Sequence, residues 1–367
     1  MLERNKHSVI SSTLLITLAA LIFLNGEIVL GRGKSGSGNF VLVTNWGDDT
    51  VSMVDIIKGA EMSTIRVGKK PYDVKVDASG RFAYVSISGE SYIAVIDIQA
   101  MLAGDRIPVG QSPREIDLSG DGKHAIVANS GDNSLSYIDL QNRREIFRIK
   151  VGNIPYGVGF AKDDTLAVVS NWGEGSVSIV DIANRKELKK FQVGALPYTV
   201  MVAQPTNTAI VTNFGADQAS VIDLNNLTLM PNLPLGRSPW GGSVSADGQM
   251  AVICNFFSAE LSFLSITKSE VATTDMPTIQ TASVHRQPAN SARINVHETS
   301  RLPLVQADRA VAPEGRSKNA VLRDDKTVAV ASDLANNELF VVDVANQKVL
   351  RTIPVGKAPY GIAFLGR

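Results

Sequence analysis

Arg114, Glu115 and Asp117 lie within four residues of one another, and Asp73 and Lys75 stand 42 positions before Glu115 and Asp117. A guanidinium in such a group can stabilise developing negative charge, and Asp73 or Glu115 can take up or release a proton. The carboxylates of Asp73, Glu115 and Asp117 could instead hold a divalent cation or a basic ligand. The bland alternative is a set of solvated ion pairs. At the corresponding positions further along the chain the residues are small or neutral: Gly157 and Gly159, Thr199 and Met201, Gly241 and Ser243, Gly361 and Ala363. The charge is therefore confined to two neighbouring units, and Lys318 is a weaker candidate further on.

Other chemistries lack the residues they need. His7, His124, His285 and His297 do not have the spacing of a zinc or copper site. Cys254 is the sole cysteine, which excludes a disulfide and a CxxCH haem attachment, and it reads as a small buried hydrophobe. No Ser/His/Asp grouping or phosphate-binding glycine loop is visible. With 36 basic and 36 acidic residues, no electrostatic case for nucleic acid arises. No cofactor is expected apart from a divalent cation at the three carboxylates.

The elements that must position these residues follow from a 42-residue repeat. Asn45, Asn129, Asn171, Asn213 and Asn255 share one phase, with Ile87 where another asparagine would stand. Asp55, Asp97, Asp139, Asp181 and Asp223 follow ten residues later, then Gly68, Gly110, Gly152, Gly194 and Gly236. After Asn255 the phase resumes at Asp333, Asp343 and Gly356, displaced by a 36-residue insertion. Each unit holds four short runs rich in β-branched residues, divided by turn sequences such as Gly120-Asp121-Gly122. This period and content predict an all-β, seven-bladed β-propeller of four-stranded antiparallel blades. The chain enters at the second strand of a unit (Phe40) and finishes on a lone first strand (Tyr360–Phe364). The C-terminal strand is thus predicted to pair with the N-terminal strands and close the ring.

The repeating Asn, Asp, Gly and Pro residues are read as structural. The asparagine is expected to bond neighbouring backbone groups, and the aspartate to hold the turn after it. One face of the ring collects the second-to-third strand loops and the crossovers between blades. It is expected to gather Trp46, Tyr72, Arg114, Tyr156, Trp172, Tyr198, Trp240 and Tyr360, packed between blades or forming a ligand-binding face.

Val43-Thr44-Asn45, Ser170-Asn171-Trp172-Gly173, Val211-Thr212-Asn213 and the run from Ile353 to Gly361 resemble the YVTN family of β-propeller repeats, which includes YncE-like and surface-layer-like proteins. The resemblance spans residues 40–364 and implies the fold far more strongly than an activity. A regular scaffold that carries no recognisable catalytic constellation points to an exported binding or interaction module for a protein or small molecule. The alternative is a lactonase- or lyase-type enzyme at the channel mouth, with Arg114, Glu115 and Asp73 in the catalytic roles.

Arg4 and Lys6 precede an apolar run from Val9 to Leu24, which makes residues 1–31 a signal peptide or an N-terminal membrane anchor. Residues 32–39 read as a flexible tether and 40–367 as the propeller, with a polar inserted loop at about 270–306 between the third and fourth strands of the sixth unit. The expected location is extracytoplasmic: periplasmic, at the cell surface or secreted. The protein is expected to be a monomer, touching a membrane only through an uncleaved N-terminal segment.

Overall fold

The computed structural model describes residues 37–268, 277–284 and 317–365. Seven antiparallel sheets follow one another along the chain. Their innermost strands are Pro71–Val76 (blade two), Pro113–Leu118 (three), Pro155–Ala161 (four), Pro197–Ala203 (five), Pro239–Val244 (six), Ser317–Leu322 (seven) and Pro359–Phe364 (one). The last of these pairs with Phe40–Asn45, placing Leu42 opposite Ala363 and Val43 opposite Ile362. Blade one is therefore built from both ends of the described chain, and the ring closes as the sequence predicts.

The core is divided among the interfaces between blades. Alternate residues of one strand serve two different interfaces: Leu42 packs with Val74 and Val85 of blade two, whereas Val41 and Val43 pack with Val330 and Leu339 of blade seven. A middle strand buried on both sides must be almost wholly apolar, and Phe40–Asn45 and Met250–Asn255 are.

Two repeated devices secure each blade. An aspartate carboxylate accepts amide hydrogens from the turn after it, as Asp55 does from Ile57 and Lys58 and Asp181 from Asn184. This matches expectation. The asparagines do not: they turn inward, are fully buried, and donate to hydroxyls on the next strand. Asn129 reaches Ser134 (3.0 Å) and Ser136 (2.8 Å), and Asn171 reaches Ser176 and Ser178. The hairpin register sets Ser134 directly opposite Asn129 and Ser176 opposite Asn171, with the second serine two positions further along the same strand. The following glycine leaves room for it, since a Cβ on Gly110 would lie 2.5 Å from Asn129 Cγ.

The outer strand of blade five is broken into Thr228–Leu229 and Leu233–Pro234, because Pro231 lies between them and has no amide hydrogen to give. In blade six, Pro277–Val284 forms the fourth strand against Glu260–Lys268. The remainder of the insertion thus comes after the fourth strand, not between the third and fourth, because the third strand runs on to Lys268 and the hairpin is longer. The rest of the expected loop, the leader and most of the tether lie outside the described residues.

Candidate functional site

Pro71, Pro113, Pro155, Pro197, Pro239 and Pro359 open innermost strands, and the residue after each points toward the centre of the ring. There Tyr72, Tyr156, Tyr198, Trp240 and Tyr360 pack on one another. Ring centroids lie 4.4 Å apart for Tyr72–Tyr360, 4.8 Å for Tyr156–Tyr198 and 4.7 Å for Tyr198–Trp240. The Tyr198 hydroxyl bonds those of Tyr72 and Tyr360, the latter at 2.9 Å. Burial raises the pKa values of Tyr72 and Tyr198 well above the usual phenol range and that of Tyr360 to about 12, so all three stay neutral.

A second-strand hydroxyl of the preceding blade anchors the backbone of several of these residues. Thr44 donates to Tyr72 O (3.0 Å), Thr212 to Trp240 O (2.6 Å), Ser332 to Tyr360 O (3.2 Å), and Ser170 to Tyr198 O. The aromatics form a braced plug across the channel mouth.

Two cations flank the plug. The Arg114 guanidinium lies over Tyr156 (4.7 Å) and Tyr72 (5.0 Å), with its Nε donating to Ser130 Oγ (3.0 Å). Lys318 Nζ lies 3.6 Å from the Trp240 centroid and 4.6 Å from that of Tyr360. Burial draws the Lys318 ammonium down to about 8. Among the described residues neither has a carboxylate within ion-pair distance. Trp172 borders the group through Tyr156 (5.9 Å), and Phe214 and Phe256 pack around Trp240. Trp46 stands apart, covered by Lys70.

The predicted carboxylates share the channel behind the plug but point to different blades. Asp73 is buried and accepts the amide hydrogens of Val74 (2.9 Å) and Ile116 (3.2 Å), the latter in blade three. Asp117 accepts the amide of Phe160 in blade four (2.9 Å). Ser243 does the same for Leu322 in blade seven (2.9 Å). These side chains satisfy amides on the channel-facing edge of a neighbouring blade. Glu115 extends past blade four, which has Gly157 at that level, and accepts the Thr199 hydroxyl in blade five (2.5 Å). Burial, then the Asp73 charge, push its carboxyl up to about 8; burial also raises Asp73, with Lys75 opposing. Among the described residues no three His, Cys, Asp or Glu side chains come together in a metal-holding group.

Of the residues expected on this face, the structure brings Tyr72, Arg114, Tyr156, Trp172, Tyr198, Trp240 and Tyr360 together, leaves Trp46 apart, and adds Lys318 beside Trp240. The available signal for Lys318 was its position, where every other unit except that of Arg114 carries the crossover aromatic.

Residues 34–160 match the sequence model of the YNCE-like beta-propeller family. No curated protein sequence matches the chain. Among solved structures, a functionally unknown protein from Desulfotomaculum acetoxidans superposes with a TM-score of 0.71 at 14% identity, covering 89% of this chain and 99% of its own. Hydrazine synthase from Kuenenia stuttgartiensis gives 0.60 at 15% identity over 79% of this chain and 88% of its own. The propeller domain of Cps50 (Swd1) from Myceliophteria thermophila gives 0.64 at 12% identity, over 80% and 89%. At these identities the neighbours speak for the fold alone. They bear out the β-propeller fold, and residues 34–160 are in addition similar in sequence to the YNCE-like propeller family.

Proposed function

We propose that the protein is a binding module that recognises an anionic ligand or partner through the channel-mouth face. The observation that carries this reading is the pair of cations, Arg114 and Lys318, resting on a braced aromatic plug with no carboxylate partner among the described residues. Rings of this kind offer broad apolar contact at little entropic cost, and the two cations supply complementary charge. Extracytoplasmic placement belongs to the same proposal and rests on the apolar run from Val9 to Leu24.

The lactonase or lyase alternative needs a substrate to reach Asp73 and Glu115. The Asp73 oxygens are occupied by amides, and Glu115 Oε1 accepts the Thr199 hydroxyl. A deca-glutamate peptide titrated against tryptophan fluorescence should give saturable quenching in the wild type that is lost in Arg114→Ala and Lys318→Ala. Lactone turnover that disappears in Arg114→Ala would transfer the reading to the enzyme. Unsaturable quenching, or quenching unaffected by either substitution, would refute the binding face.

A further inference from the structure

We infer that the cleft between the outer strands of blades one and two is a second binding site, built for a small ligand carrying a carboxylate or phosphate oxyanion. The cleft has a volume of about 430 Å³, within the usual range for small-molecule sites, and lies at the rim, away from the plug. Arg66, Lys69, Arg106, Gly104 and Glu90 are among the residues that line it.

The site exists because blade two departs from the repeat at several positions at once. In blades one, three and four a buried asparagine bonds two hydroxyls, as Asn129 does with Ser134 and Ser136. In blade two these three positions are Ile87, Tyr92 and Ala94. On the outer strands of blades one, three and four a glutamate is followed by a large aliphatic residue in a β-bulge: Glu61-Met62, Glu145-Ile146 and Glu187-Leu188. Blade two has Ala103-Gly104 instead, and the loss of both side chains opens the cleft.

The same change frees a charge. Arg148 in blade three is neutralised by Glu145 (2.8 Å) and Asp132 (3.0 Å), and Lys190 in blade four by Glu174 (2.9 Å) and Glu187 (3.7 Å). Arg106 occupies the equivalent position, but its glutamate is now Ala103. Its other potential partner, Glu90, accepts the Lys69 amide (2.9 Å) and the Tyr92 hydroxyl (3.1 Å), and Arg106 acts on it as a nearby charge without an ion-pair contact. Arg106 lies over the Tyr92 ring at 4.6 Å, and among the described residues neither it nor Arg66 has a carboxylate within ion-pair distance. Asp49, the remaining acid of the cleft, accepts the Lys70 amide. Two guanidiniums without ion-pair partners beside a cleft match the two-oxygen geometry of carboxylate and phosphate.

Calorimetric titration of the full chain with pyrophosphate and, separately, with citrate at low ionic strength tests this. At least one should bind saturably, and Arg106→Gln should weaken it by about tenfold or more. Ala103→Glu, which restores the carboxylate found in the neighbouring blades, should weaken binding similarly with the melting temperature unchanged. Arg148→Gln should leave it intact, as should Arg114→Ala, which separates this cleft from the channel mouth. The anion that binds more tightly distinguishes phosphate from carboxylate chemistry. No saturable binding by either probe, or equal weakening by Arg148→Gln, would overturn the assignment.

Discussion

Replacing Glu115 by glutamine should remove a large pH-dependent contribution to stability across the neutral range. Its carboxyl sits in the channel, with the Thr199 hydroxyl 2.5 Å from Oε1 and the Asp73 charge nearby, and is pushed up from 4.5 to about 8. A carboxyl that holds its proton more tightly folded than unfolded stabilises the folded state fully below about pH 4.5. That contribution declines as pH rises and is lost above about pH 8. At about 1.4 kcal/mol per unit the ceiling is about 5 kcal/mol, and the channel's partial exposure reduces the expectation to roughly 2–3 kcal/mol. Glutamine keeps the carbonyl that accepts from Thr199 and mimics the protonated acid without titrating. Urea unfolding at pH 5, 7 and 9 should show the wild type losing roughly 2–3 kcal/mol relative to Glu115→Gln as pH rises. Burial raises Asp73 too, and because the Asp73 charge acts on Glu115, the difference between the two proteins reports Glu115 together with its coupling to Asp73. Parallel stability profiles from pH 5 to 9 would refute the reasoning.

Removing residues 358–367 takes away the strand that pairs with Phe40–Asn45, and cooperative thermal unfolding should disappear; an unchanged transition by calorimetry would contradict ring closure. Gly110→Ala should cost about 1–3 kcal/mol through collision with Asn129, and a double-mutant cycle with Asn129→Ala should show the two penalties to be strongly non-additive. Tyr198→Phe deletes the hydroxyl shared by Tyr72 and Tyr360 and should lower stability by about 1–2 kcal/mol in denaturant unfolding, with the fold retained by circular dichroism.

Much of the fold was legible because a propeller repeats its local constraints. The Asx turn at Asp55 or Asp181 needs only residues within three positions of it, so the aspartates were assigned to their true role. The asparagines were misread because their partners, such as Ser134 and Ser136, are set by hairpin register, which a spacing pattern does not specify. The placement of the insertion failed for a similar reason: strand pairing carried the third strand of blade six to Lys268, past the point where the repeat would have ended it. In the channel the sequence identified which residues carry charge, but the three carboxylates that looked like one cluster reach three different blades.

Sequence alone determined the number of blades, the way the ring closes and which positions break the pattern, because these follow from period and residue type. Tertiary structure decided what the breaks mean. Curvature of the ring brings residues about 42 or 84 positions apart into contact, so the Arg114 guanidinium lies over the Tyr156 ring and Glu115 accepts from Thr199. It also turns the substitution of Glu and a large aliphatic residue by Ala103 and Gly104 into an open cleft beside an arginine with no ion-pair partner among the described residues. A contact between blades depends on the angle at which sheets meet, and that angle is set by all seven inter-blade cores together rather than by any one segment of chain.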